Sequence, residues 1–281
     1  MKVFPFKIPK SGDESIIYQE DIEMVFYDKL HQHEENQISY IKKGEGSVLV
    51  GDTFSHYEQG DILVIGSYLP HVFKSESNAT EPSIMQSLFY TSASFGKDFF
   101  DLPTFKSIQP FCENNRNGFI IKNAPKKIVN YFKKFKTENE FNRFLIFLKI
   151  LKYLTEADKQ LLSNYIYERK ITANEGKRMQ IVFEYVMNHY QRNITLDEIA
   201  SISNMTKNAF CRYFKIRTKK SFFQFLIEIR IERAAKLLSQ KNELSVLEIA
   251  ESCGFNNISN FNRQFKTLKN ISPLQYRKLN S

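Results

Sequence analysis

Tryptophan is absent from the 281 residues, and cysteine occurs three times, at Cys112, Cys211 and Cys253. Their scattered spacing offers neither a disulfide framework nor a CxxC metal site, which agrees with a reducing, cytoplasmic location. No run approaches the roughly 18 apolar residues of a membrane span, so no membrane partner is expected. Met1 to Pro9 lacks the continuous apolar core of a secretion signal. Acidic residues are scarce in one region only. Gly176 to Ser281 holds 18 Lys plus Arg against 8 Asp plus Glu, whereas Met1 to Glu175 holds 22 against 23. Basic charge confined to the last third is the footprint of a polyanion-binding module, and the length suits two domains.

What is present in that last third is one pattern written twice. Thr195 to Lys215 reads TLDEIASISNMTKNAFCRYFK, and Ser245 to Lys266 reads SVLEIAESCGFNNISNFNRQFK. Glu198-Ile199-Ala200 recurs at an offset of 50 residues, and Phe210, Arg212, Phe214 and Lys215 recur at 51, so the second copy has one extra turn residue. Each copy predicts a short helix, a tight turn and a second helix. Thr195 and Ser245 are capping residues, Glu198 closes a capping box, and Gly254 supplies a turn at little steric cost. Phe210 and Phe214, like Phe261 and Phe265, mark the buried side of the second helix. The opposite side is polar and basic, as a helix lying in a DNA major groove requires.

These residues resemble the AraC/XylS-type bacterial transcription regulators. The motifs are LDEIA…F.R.FK, IRIERAAKLL (Ile229 to Leu238), EIAESCGF…SNFNRQFK and ISPLQYRK (Ile271 to Lys278), in order over about 105 residues. The resemblance implies a seven-helix domain at 171–281, with helix–turn–helix units near 195–216 and 245–268 joined by a helix at about 222–239. That helix would span about 27 Å at 1.5 Å per residue, against about 34 Å between successive major grooves. The predicted base readers are Asn208, Cys211 and Arg212 in the first unit and Ile258, Ser259, Asn262 and Arg263 in the second. Lys207, Lys215, Asn257 and Lys266 are expected at phosphates. Arg212 and Arg263 have salt bridges within the domain as their alternative. Arg230 and Arg233 either reach phosphate or pair with Glu232.

The first 170 residues read differently. IEMVFYD, QISYIKKG, GSVLVGD, DILVIG and IMQSLFYT are short segments broken by Gly, Asp, Pro or Ser, which predicts an antiparallel barrel or sandwich over about 16–91. It resembles the cupin barrel that often forms the effector domain of these regulators. The expected fold class is therefore α+β: a cupin-like barrel, helices over about 94–165, then an all-α domain. His31 and His33 project to one strand face, with Gln37, Ser39 and Ile41 on the same side and Val48 and Val50 on the next strand. Hairpins could bring His71 to them. A metal-binding cupin would carry glutamate where this chain has Gln37, and Gly66 and Tyr68 replace the usual proline and glycine. His31, His33 and His71 are thus only the candidates for a metal, and no metal or cofactor is expected. The alternatives are an organic-effector pocket lined by His31, His33, Gln37, Ser39 and His71, or a structural role. A sugar or similar polar metabolite suits such a lining.

Farther on, Pro125 fits the first helical position of PKKIVNYFKKF. FNRFLIFLKILKYLTEAD carries Phe141, Phe144, Leu145, Leu148, Leu151 and Leu154 along a stripe widened by Ile146, Phe147 and Ile150. It either packs on the barrel or forms a homodimer interface. YERKITANEGK (Tyr167 to Lys177) is the expected interdomain junction. The function expected is a sequence-specific DNA-binding regulator, not an enzyme, with duplex DNA, a polar effector, a second copy of itself and RNA polymerase as partners. The alternative is a metal-dependent cupin enzyme with a nucleic-acid-binding tail. A DNA-repair or methyl-transfer enzyme lacks its nucleophilic cysteine motif here.

Overall fold

The computed structural model describes residues 14–26, 28–75, 80–163, 173–240 and 243–280, with backbone alone for 112–114 and 173–177. Most of the Tyr167–Lys177 junction, the Met1–Pro9 segment and the side chain of Cys112 lie outside the described residues. The chain divides into two compact units, Met1–Ala173 and Asn174–Ser281.

Nine strands occur among the described residues of the first unit: β1 (Ile17–Glu23), β2 (Asn36–Lys43), β3 (Gly46–Val50), β4 (Thr53–Tyr57), β5 (Ile62–Ile65), β6 (His71–Ser75), β7 (Ser83–Tyr90), β8 (Phe119–Ile121) and β9 (Gln160–Leu161). They form two antiparallel sheets, a six-stranded one ordered β1-β7-β2-β5-β8-β9 and a three-stranded one ordered β4-β3-β6. Neither sheet closes on itself, which overturns the expected cupin-like barrel. Closure needs a continuous hydrogen-bonded ladder between edge strands. Here β1 carries Glu20, Asp21 and Glu23 along its edge, and β9 is two exposed residues long. Charged or very short edges stop pairing. Apart from these ladders, one isolated bridge is present among the described residues, between His31 and His71. Open stacked sheets and a barrel share the same in–out alternation, so strand spacing could not separate them.

The alternation does set the layers. In β2, Ile38 and Tyr40 join the core beneath the helices, while Ile41 joins the core between the sheets with Val48, Val50, Leu63, Phe73 and Met85. The helical layer comprises α1 (Gln109–Asn114), α2 (Lys126–Phe135) and α3 (Glu140–Glu156). Pro125 sits one position earlier than expected, as the cap of α2. In α3 the buried centre of the stripe is Ile146, Phe147, Ile150, Leu151 and Leu154, and Phe141 is 69% exposed. The sequence placed that stripe about one residue off, because a helix apolar over most of its circumference has no sharp face. IEMVFYD is likewise not one strand: β1 ends at Glu23, and Met24 and Val25 bend away from it.

The second unit is all α among its described residues: α4 (Ala173–His189), α5 (Leu196–Ile202), α6 (Lys207–Thr218), α7 (Phe222–Ser239), α8 (Val246–Ser252), α9 (Ile258–Lys269) and α10 (Pro273–Asn280). The first half of α7 meets α6 through aromatic pairs, Phe222 with Phe210 at 5.7 Å and Phe225 with Phe214 at 5.4 Å. Its second half shares a core with α8 and α9, where Ile231, Ala234, Ala235 and Leu238 pack with Ile249, Phe261 and Phe265. One helix thus supports both helix–turn–helix units. No described helix is long and apolar enough to cross a membrane.

Candidate functional site

Each reading helix is positioned by caps on both sides of its turn. Thr195 and Ser245 form capping boxes with Glu198 and Glu248 at the starts of α5 and α8. Thr206 and Asn257 cap α6 and α9 by accepting from the backbone N–H of Ala209 and Asn260. The left-handed turn residue is Asn204 (φ 54°) in the first copy and Gly254 (φ 86°) in the second. Met205 N–H then donates to Ala200 O and Phe255 N–H to Ala250 O, still at an offset of 50. The caps Thr206 and Asn257 are 51 apart, so Asn256 is the inserted residue.

Phe210 and Phe214 anchor α6, and Phe261 and Phe265 anchor α9. Lys207, Asn208, Cys211, Arg212 and Lys215 are exposed on α6, as are Ser259, Asn262, Arg263 and Lys266 on α9. Three predicted contacts have other attachments. Lys207 pairs with Asp197 at 2.8 Å. Asn257 spends its side chain on the cap. Ile258 is half-buried against the second-unit core. At the positions of the Asp197–Lys207 ion pair, the second copy has Leu247 and Ile258, which line an apolar depression with Val246, Pro273 and Leu274 beside Asn262, Arg263 and Lys266. Arg263 also donates to Asn260 Oδ1 at 3.0 Å.

The two central arginines are structural. Arg230 donates from Nε to Tyr190 O at 2.7 Å and from Nη2 to Arg192 O at 2.9 Å. Arg233 lies over the Tyr190 ring, and Glu232 is bonded to Lys269 at 2.7 Å instead. Both arginines hold the segment between α4 and α5. Cys253 is buried, which pushes its thiol up to about 11, so it is inert packing.

In the first unit the three predicted histidines do meet. His31 and His71 form the isolated bridge, with N–H···O distances of 3.0 and 2.9 Å. Tyr68, at the place of the usual glycine, takes a left-handed conformation (φ 57°) and donates its N–H to His33 O at 2.8 Å. Ring centroids are 4.2 Å apart for His31–His71, 5.1 Å for His33–His71 and 5.9 Å for His31–His33. His33 Nε2 faces Gln37 Oε1 at 3.2 Å, Gln37 Nε2 donates to Ser39 Oγ at 2.8 Å, and Ser39 shares a 2.8 Å bond with Ser87. Burial pushes His31 down to about 4 and lowers His33 and His71, so the imidazoles are neutral at pH 7. A cavity of about 350 Å³ adjoins His31, His33 and Gln37, its other walls being Gln19, Asp21 and Glu23 of β1 and Phe26, Phe73, Met85 and Phe89.

Residues 12–95 match the family described as the AraC-like ligand binding domain, and residues 199–279 match a helix-turn-helix domain. The chain is 27% identical over 261 residues to the uncharacterized HTH-type transcriptional regulator YdeC of Bacillus subtilis, covering 91% of this chain and 88% of that one. It is an AraC-type DNA-binding transcription regulator. The HTH-type transcriptional regulator MtrA of Neisseria gonorrhoeae is 33% identical over 104 residues, 37% of this chain and 34% of that protein. The C-terminal domain of AraT, a response regulator from Geobacillus stearothermophilus, is 32% identical, covers 36% of this chain and 84% of that one, and superposes with a TM-score of 0.34. The relatives are regulators rather than enzymes, so the metal-dependent enzyme alternative is set aside.

Within this regulator, sequence reasoning missed the acidic and aromatic walls of the cavity. Gln19, Asp21 and Glu23 alternate along β1 and so share a face, a signal visible in the sequence. Phe26, Phe73 of β6, and Met85 with Phe89 of β7 come from three separate segments that meet only through sheet stacking.

Proposed function

We propose that the regulator reads DNA with the exposed faces of α6 and α9, placing Asn208, Cys211 and Arg212 at one set of bases and Ser259, Asn262 and Arg263 at another. The supporting observation is that these side chains stand exposed on helices whose opposite faces are pinned by equivalent phenylalanines. Lys215 and Lys266 lie at the same faces and would take phosphates. Lys207 and Asn257 are weaker candidates, because each already has a partner within the protein. The half-buried Ile258 would offer only its edge to a thymine methyl. The two helices differ at the groove-facing positions, so the operator should contain two different half-words.

The inter-sheet cavity is the proposed effector site. Asp21, Glu23, Gln37 and His33 offer hydroxyl-binding groups and Phe89 and Phe26 an apolar wall, a lining that fits a sugar or similar polar metabolite. The exposed edge of α3 at Phe141 and Leu145 is the proposed homodimer contact, and RNA polymerase the proposed further partner. The test is selection of bound DNA from a genomic pool, followed by footprinting of variants. Arg212→Ala should cost about 1–3 kcal/mol at the selected site and relax discrimination at one position. Lys215→Ala should weaken all sequences alike and lower the salt slope by about 0.9. Unchanged specific binding by Arg212→Ala would remove Arg212 from the reading face.

A further inference from the structure

We propose that His31, His33 and His71 form a binding site for one divalent transition-metal ion of the zinc, nickel and copper class. The proposal concerns the first unit alone and stands whatever DNA sequence the second unit reads.

The backbone brings the rings together from two directions. The paired hydrogen bonds between His31 and His71 fix one pair, and the Tyr68 turn holds His33 beside them. Each ring is then oriented by its Nδ1 atom, which contacts a main-chain oxygen: Lys29 O at 2.8 Å for His31, Glu35 O at 2.9 Å for His33 and Leu69 O at 2.9 Å for His71. A carbonyl oxygen only accepts, so each Nδ1 carries the proton and each Nε2 presents a lone pair. An imidazole held at one nitrogen by a carbonyl, with the other aimed at the ion, is the usual arrangement around a metal. Burial keeps the rings in the neutral form that ligation needs.

The spacing is close to what an ion requires. One ring nitrogen from each histidine lies within 4.8 Å of the others. Bonds of about 2.0–2.1 Å at a tetrahedral angle set ligand nitrogens about 3.4 Å apart, so small ring rotations complete the site. His71 Nε2 is buried and has no hydrogen-bond partner, a cost that a coordinated cation would relieve.

Gln37 discouraged a metal reading from sequence, because it replaces a charged ligand with a neutral one. The three-imidazole geometry does not depend on it. With a lone pair on His33 Nε2, the Gln37 amide donates to it, the oxygen and nitrogen of an amide being interchangeable by a flip. An arriving ion would turn the amide oxygen inward or leave a coordination position open toward the cavity. Three imidazoles select borderline transition ions over magnesium and calcium, which favour oxygen cages. With no carboxylate among the three, the site would retain the ion's double positive charge and would favour an oxygen donor as fourth ligand.

The test uses the full chain, stripped with chelator and titrated with Co²⁺. One equivalent should bind with the intense visible absorption of low-coordinate cobalt, and Zn²⁺ should displace it. His31→Ala and His33→Ala should each weaken cobalt binding by more than the about 10–100-fold that outer-shell changes cost. His56→Ala, on β4 with its ring beside Glu45 at 3.4 Å and outside the three-histidine group, should leave it unchanged. Circular dichroism confirms that each variant is folded. Should a histidine variant not fold, Gln37→Glu decides: a carboxylate beside His33 should tighten cobalt binding at least tenfold. No stoichiometric cobalt spectrum, unchanged affinity in folded His31→Ala or His33→Ala, or unchanged affinity in Gln37→Glu would each overturn the proposal. DNA binding by the same preparations reports separately on the regulator reading.

Discussion

Arg230→Met is the substitution that best separates scaffold from DNA contact in the second unit. Arg230 could be read from sequence as a phosphate ligand, yet its guanidinium makes 2.7 and 2.9 Å bonds to Tyr190 O and Arg192 O. Hydrogen bonds from charged donors contribute about 1.5–3 kcal/mol each. The half-buried guanidinium offsets part of this through its own desolvation, which also lowers its pKa. Methionine keeps most of the apolar stem but leaves two carbonyls without their partner, so the expected net loss is about 2–3 kcal/mol. For a unit of this size about 1 kcal/mol shifts Tm by 4–8 °C, giving a fall of roughly 8–24 °C in the transition of the second unit. Scanning calorimetry of the full chain measures this, and fluorescence anisotropy over a salt series measures the DNA slope. Below the new Tm, the salt slope should be unchanged. An unaltered Tm with a slope reduced by about 0.9 would refute the scaffold reading and return Arg230 to the phosphates.

Gly254→Ala should destabilise the second unit by more than the roughly 1 kcal/mol of a left-handed alanine, since a Cβ there would stand 2.6 Å from Gln191 O; a melt unchanged from wild type would show that the turn relaxes freely. The first unit should lose stability on acidification between pH 6.5 and about 4, the ordinary and folded values of His31. The unfolded chain takes up that proton first as pH falls, so stability is complete above pH 6.5, and the His31 share is about 3 kcal/mol. His31→Gln should flatten that part of a denaturant-midpoint profile against pH. Phe141→Glu, on an exposed position of α3, should abolish dimerisation in sedimentation if this edge is the contact, whereas Leu151→Glu should unfold the unit, because Leu151 is fully buried.

Sequence alone carried the local chemistry far. Both helix–turn–helix units could be read from caps, a turn residue and phenylalanines at helical spacing, because those signals act within one or two turns of chain. Gln37 and Ser39 could be placed on one face because strand alternation has a period of two. His31 and His33, however, precede β2 rather than lying on a strand, and they join that face through the His31–His71 bridge and the Tyr68 turn. Three things were decided only by tertiary structure. The sheets stay open, since closure depends on whether distant edges pair, and in–out alternation is silent on that. Strands β8 and β9 come from a stretch whose neighbours have helical periodicity; β8 is a strand because β5 offers it an edge, and β9 because β8 does. The roles of individual polar groups changed most. Arg230 and Arg233 engage the segment between α4 and α5, Lys207 is shared with Asp197, and Asn257 caps a helix. Sequence fixes which donors and acceptors a segment carries. Which of them meet water, and which meet a carbonyl forty residues away, depends on how the helices and sheets pack.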